Sequence, residues 1–202
     1  MELIRKRQDE FEAEGKEYAA YYDNEETILE ERSKVPYLHF GSFDRQEWLQ
    51  LSFSTRLGGV SEGVCSTMNL SFSRGDDESA VRENYRRMAN AIGVEDDSFV
   101  FSMQTHTTNI RVVTSKDKGK GLTTPLDYSD VDGLEPGLCL TTFYADCVPL
   151  FFLDPVKKVI GLSHSGWRGT VGKIGKKTVE VMRSEYGCHP EDILAAIGPS
   201  IC

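Results

Sequence analysis

The alternation of apolar and polar positions predicts a series of short β-strands along this chain. In WLQLSFS, residues 48–54, apolar and polar residues alternate with the period of a half-buried strand. Further apolar runs, concentrated in the second half, fit strands that are buried on both faces. The predicted strands are 35–40, 48–54, 99–103, 110–114, 138–145, 148–154 and 159–165.

Two segments carry the period of an amphipathic helix instead. In residues 77–92 the apolar side chains fall on one face, with Asp76 or Asp77 as the N-cap and Gly93 just past the end. A second helix is predicted over residues 171–186, with Gly187 as its stop. Strands mixed with two separated helices indicate a layered α+β (mixed α/β) domain.

The length of 202 residues suits one sizeable domain, which we place at residues 35–202. Residues 1–34 form an acidic N-terminal extension of unknown role, in which KEYAAYYD fits either a strand or a short helix. The chain stops at AAIGPSIC, on an apolar strand-like run, so we expect the domain to continue beyond residue 202.

Charge and composition indicate which kinds of binding partner and which cellular compartment the protein is suited to. The net charge of −9 and the pI near 5.0 disfavour binding to nucleic acid or to an anionic membrane surface. No apolar run approaches the length of a membrane span, and the N-terminus lacks the apolar core of a signal peptide. The five cysteines are irregularly spaced, which fits a reducing cytoplasm better than a disulfide framework.

Three residues stand where a predicted strand meets a polar or glycine-containing turn: His106, Cys147 and His164. Two imidazoles and a thiolate suit zinc, and three protein ligands leave the fourth tetrahedral position open. The spacings of 41 and 17 residues are weak support, so separate structural roles stay open at this point. His39, within a strand, and His189, in a turn after a helix, are interpreted as structural.

Polar residues at similar strand ends are candidate substrate contacts. They are Arg56, Gln104, Asp132, with Asp130 beside it, and Arg168. Each one alone fits a solvated ion pair as well as a binding pocket. Trp167 could stack on a base or fill a core.

Several segments, taken in order, resemble a known family. They are FSTRLGGVSEG, MNLSFSRGDD, VRENYRRMANAIG, QTH, DVDG, FYADCVPLFFLDPVKKVIGLSHSGWRGTVGKI and PEDILAAIGPSI. The chain resembles the polyphenol-oxidase or laccase-domain family of YfiH, YlmD and FAMIN purine nucleoside enzymes over about residues 35–202. It departs from the family pattern at Ser165, where alanine is usual, and at Thr107, where glycine is frequent.

The resemblance implies a four-layer α/β/β/α fold with His106, Cys147 and His164 as zinc ligands. It also implies phosphorolysis of adenosine, inosine and methylthioadenosine, and deamination of adenosine. Arg56 or Arg168 would then hold phosphate, and Asp132 is a candidate general acid.

Three alternatives stay open. A copper oxidase could use the same ligands with Met103 as axial ligand, although four histidines are too few for a multicopper site. A metal-free hydrolase could use Cys147 as nucleophile with a histidine base. A structural zinc site would need a fourth ligand, such as Cys139.

Overall fold

The computed structural model describes residues 27–126 and 137–200. Chain contacts divide the protein into two compact units, Met1–Gly93 and Val94–Cys202. Both units contain strands and helices, so the predicted mixed α+β class is confirmed, with several small sheets. The four-layer arrangement stays a prediction. No helix in the described part of the chain is long and apolar enough to cross a membrane.

The first unit holds an antiparallel sheet and one long helix. Strands β1 (Thr27–Arg32), β2 (Val35–Phe40) and β3 (Phe53–Ser54) pair in that order, so β2 is central and almost wholly buried. Helix α1 (Glu78–Ile92) begins at the predicted cap, where the Asp77 side chain accepts from the Ser79 N–H, and it ends at Gly93 with φ 74°. Its apolar face supplies much of the core of this unit.

The second unit holds two further sheets. Strands β4 (Phe99–Phe101) and β5 (Cys139–Thr141) form a parallel pair. An antiparallel sheet contains β6 (Val148–Asp154), β7 (Val159–Ser165) and β8 (Leu194–Ile197) in the order β7-β6-β8. Two helices follow β7 along the chain, α2 (Trp167–Val171) and α3 (Ile174–Tyr186).

The face of β7 that carries Gly161 and Ser163 packs against α3. The Ser163 hydroxyl lies 2.6 Å from that of Thr178, and Gly161 leaves room for Met182. Because side chains alternate along a strand, His164 points to the opposite face of the sheet. This alternation frees His164 for the site described below.

Five secondary-structure predictions were wrong in whole or in part. The strands predicted over 99–103 and 138–145 are shorter and span Phe99–Phe101 and Cys139–Thr141. In 48–54 only Phe53 and Ser54 form a strand, and the N–H of Leu49 donates to the carbonyl of Gln46 in a turn instead. Residues 110–114 form no strand, although Val113 is fully buried beside Val100. The helix predicted over 171–186 begins at Ile174 and is separated from α2 by two residues. KEYAAYYD lies outside the described residues.

Candidate metal centre

His106 and Cys147 come together because the parallel strands β4 and β5 end at the same sheet edge. His106 lies five residues after β4, and Cys147 lies six residues after β5. The side chain of Gln104 joins the two connections. Its Nε2 donates to the carbonyl of Phe143 at 2.6 Å, and its Oε1 accepts from the N–H of Phe143 at 2.5 Å. These two hydrogen bonds therefore fix the loop that carries His106 against the loop that carries Cys147.

His164 enters the same site through the antiparallel pairing of β6 and β7. In this register Pro149 lies opposite His164, and Val148 lies opposite Ser165. Cys147 directly precedes β6, so the same register continued by one residue places it opposite Gly166. The aromatic ring of Tyr144 lies 5.3 Å from the His164 ring and limits its movement.

The ligand atoms of His106, Cys147 and His164 all lie within 4.8 Å of one another. The two imidazole rings have their centroids 5.0 Å apart. Metal–ligand bonds of about 2.0–2.3 Å can span such a group after small side-chain rotations. His106 is exposed, whereas Cys147 and His164 are half-buried, so a bound ion would be reached from solvent on the His106 side. The donor set fits a zinc ion with an open position.

Gly166 leaves the space that the ligands surround. A Cβ at this position would lie 2.9 Å from the Sγ of Cys147 and 3.1 Å from the Nδ1 of His106. Both distances are shorter than ordinary contacts, so any larger residue must displace the ligands. The glycine between β7 and α2 is therefore required by the packing of the ligand side chains, since its backbone conformation is open to any residue.

The backbone of His106 adopts a left-handed conformation, with φ 57°. This region costs a residue with a Cβ roughly 1–2 kcal/mol relative to the ordinary helical or strand regions. Such strain persists only where the surroundings hold it, and it concentrates at functional sites. The position of the His106 imidazole thus depends on contacts made by its loop.

Burial raises the pKa of the Cys147 thiol, and the neighbouring carboxylate of Asp146 raises it further. Reactive cysteines show the reverse, because a nearby cation or a helix N-terminus lowers their pKa. A metal ion bound by the thiolate would compensate for this environment, and its binding would release a proton.

Comparisons with known proteins show the family to which this chain belongs. A family model described as multi-copper polyphenol oxidoreductase laccase matches residues 50–202. The chain belongs to this laccase-domain family. Purine nucleoside phosphorylase YlmD of Bacillus subtilis is 37% identical over 169 residues, which cover 77% of this chain and 61% of that protein.

Two further members of the family are similar to this chain. A purine nucleoside phosphorylase of Deinococcus radiodurans is 42% identical over 154 residues, 75% of this chain and 56% of that protein. The crystal structure of YlmD from Geobacillus stearothermophilus matches with a TM-score of 0.77 at 30% identity, over 87% of this chain and 66% of that one. This chain therefore spans less than two thirds of the length of each of these laccase-domain relatives.

The residues predicted to contact substrate have different surroundings in the structure. The side-chain amide of Gln104 hydrogen-bonds to the backbone of Phe143, and these contacts hold the two loops together. Arg168 is exposed on α2, with its guanidinium 5.3 Å from the centre of the Trp167 ring. Arg56 is exposed in the first unit. Asp132, like Asp130, lies outside the described residues.

The other histidines and Cys139 lie outside the group formed by His106, Cys147 and His164. His39 lies on β2 with its Nδ1 2.8 Å from Asp44, and His189 is an exposed residue beside the short helix Pro190–Asp192. Cys139 lies within β5, and burial raises the pKa of its thiol to about 11. Among residues 27–126 and 137–200 the group that could hold a metal ion has three members, without Cys139.

Sequence reasoning missed two contributors to this laccase-domain site. Tyr144 lies beside His164, and the only signal for it was an aromatic residue three positions before Cys147. The closeness of Gly166 to both Cys147 and His106 was also missed, although the glycines around Trp167 had marked a tight turn.

Proposed function

We propose that this protein is a zinc-dependent purine nucleoside phosphorylase that also deaminates adenosine. The observation that carries the proposal is the convergence of His106, Cys147 and His164 within 4.8 Å. It occurs in a chain whose relatives are named purine nucleoside phosphorylases. The proposed substrates are phosphate and adenosine, inosine or methylthioadenosine.

In phosphorolysis, a phosphate oxygen forms a bond to C1′ of the ribose as the bond from C1′ to the purine nitrogen breaks. The base leaves with the electron pair of that bond and takes up a proton, which gives free base and ribose 1-phosphate. Arg168 or Arg56 is proposed to hold phosphate, because a guanidinium can donate two parallel hydrogen bonds to it.

In deamination, the oxygen of water replaces the amino group at C6 of adenosine, and inosine and ammonia are released. A zinc ion in this site would supply Lewis-acid chemistry and lower the pKa of a bound water. The chain's own contribution is positional. His106, Cys147 and His164 would hold the ion, while Gln104 braces the loops that carry two of these ligands.

The first test incubates the purified protein with adenosine, with and without phosphate, and identifies products by mass spectrometry. Adenine and ribose 1-phosphate that form only with phosphate, or inosine in either case, would support the proposal. Cys147→Ala should abolish both reactions. Cys139→Ser is the matched control, since this thiol lies outside the metal-binding group. If the wild-type protein forms none of these products, the proposal is wrong.

The same preparation distinguishes the metal-free and copper alternatives. A cysteine nucleophile predicts that chelation leaves activity intact and that thiol alkylation removes it. A zinc centre predicts loss on chelation and recovery when zinc is added back. Recovery with copper alone, together with oxidation of a polyphenol, would instead favour the oxidase described by the family model.

A further inference from the structure

The loop that carries His106 needs support, because His106 has a left-handed backbone conformation at φ 57°. Gln104 fixes the beginning of this loop through the Phe143 main chain. Holding the imidazole in place also requires contacts on the other side of His106.

Three glycines, spaced three residues apart in and beside α2, lie close to three successive residues of this loop. A Cβ on Gly166 would lie 3.1 Å from the Nδ1 of His106. One on Gly169 would lie 3.7 Å from the carbonyl oxygen of Thr107, and one on Gly172 only 2.6 Å from the Cγ2 of Thr108. The Thr108 methyl group therefore lies directly against the Gly172 backbone.

Thr108 is also tied to α3 by a hydrogen bond. Lys177 Nζ donates to the Thr108 Oγ1 at 2.5 Å, across 69 residues of sequence. The Thr108 methyl and hydroxyl groups thus meet two different partners, and the bond from the exposed Lys177 favours one rotamer of this side chain. Thr108 lies two residues after His106, so movement at Thr108 would be transmitted to the ligand backbone.

We propose that Thr108 and Lys177 are positioning residues for the metal ligand His106. The inference rests on the proposed metal centre. It assigns neither residue any contact with substrate or with the ion. Gln104 and the Thr108–Lys177 pair hold the loop on either side of His106 and keep its imidazole directed at Cys147 and His164.

The test measures the zinc dissociation constant of the purified protein by competition with a chromophoric chelator. Thr108→Val removes the hydroxyl and keeps the shape, and Lys177→Met removes the donor and keeps the stem. Each change should weaken zinc binding by about three- to tenfold, at or below the lower end of the effect of losing a hydrogen bond made directly to a metal ligand, because Thr108 acts on His106 only through the backbone. The double variant should lose little more than either single one, because both remove the same bond.

Three variants serve as controls. Thr108→Ser and Lys177→Arg retain the hydrogen-bonding groups and should restore most of the affinity. Lys176→Met makes the same charge change one residue away, where the side chain pairs with Glu180 at 3.4 Å, and should leave zinc affinity within about twofold. Thermal unfolding of the metal-free variants checks that the fold is intact.

The outcomes separate this inference from the proposed function. If the wild-type protein binds no zinc, the metal centre itself is wrong. If the wild-type protein binds zinc and Thr108→Val and Lys177→Met bind it equally well, the positioning role is wrong. Equal losses in Lys177→Met and Lys176→Met would mean that net charge, and not the Thr108 contact, sets the affinity, which also overturns the inference.

Discussion

Replacing Gly166 with alanine tests the geometry of the metal centre with a single methyl group. The backbone at Gly166 has φ −74° and ψ 175°, which any residue adopts without strain. A change there from glycine to alanine should cost the metal-free protein little stability, because the backbone is unstrained and the Cys147 and His106 side chains can rotate away from the new Cβ. Any loss of metal binding would then come from the added Cβ.

The size of the disturbance follows from the distances. The Sγ of Cys147 must retreat from 2.9 Å to at least 3.4 Å, or about 0.5 Å, to reach an ordinary contact with the new Cβ, and the Nδ1 of His106 must also withdraw. Metal–ligand distances tolerate deviations of only about 0.2 Å. We therefore expect zinc affinity to fall on the order of 10- to 100-fold.

The assay compares zinc affinity by chelator competition with thermal unfolding of the metal-free proteins. Gly169→Ala is the matched control on α2, because its Cβ would meet nothing closer than 3.5 Å. Zinc binding by Gly166→Ala at wild-type affinity would refute the reasoning, since the ion could not then lie among these three side chains as they are arranged here.

Two further predictions concern the first unit. Asn84→Ala should lower the free energy of unfolding by about 1–3 kcal/mol in urea titrations, because this fully buried amide accepts from the N–H of Val60, and its Nδ2 lies within hydrogen-bond distance of the Ser61 hydroxyl and the carbonyls of Thr67 and Asn69. The exposed Asn90→Ala should change it by less than about 0.5 kcal/mol, and equal effects would contradict the role of the buried network. Arg86 and Arg87 lower the pKa of the Glu83 carboxyl from 4.5 to about 2, so this carboxylate stabilises the fold above pH 4.5 and loses that contribution as the pH falls towards 2. Glu83→Gln should therefore cost under about 1 kcal/mol at pH 7, because the ion pairs are partly exposed, and progressively less as the pH falls from 4.5 towards 2; a difference as large near pH 2 as at pH 7 would exclude the ion pairs as its cause.

Elements with strong local signals were predictable from the sequence. Helix α1 begins and ends at its predicted caps because the Asp77 side chain and the left-handed Gly93 act within one turn of the helix. The strands at 35–40, 148–154 and 159–165 were also correct, because their apolar runs are bounded by turn residues. Local chemistry suffices for such elements.

The errors lie where tertiary contacts override local pattern. Residues 110–114 have the composition of a strand, but Val113 is buried by packing against Val100 without any strand pairing. The helix predicted from residue 171 is interrupted at Gly172 and Lys173, where Thr108 approaches Gly172. No pattern within a short window contains information about a residue so far away in the chain.

For the candidate site, too, the sequence predicted some features and the tertiary structure determined the others. Residue types at strand ends, together with the family resemblance, were enough to nominate His106, Cys147 and His164 from the sequence. Their convergence was decided only by the parallel pairing of β4 with β5 and the antiparallel register of β6 with β7. The left-handed backbone of His106, the space at Gly166 and the contact between Thr108 and Lys177 also belong to the tertiary structure, because each depends on segments distant in sequence.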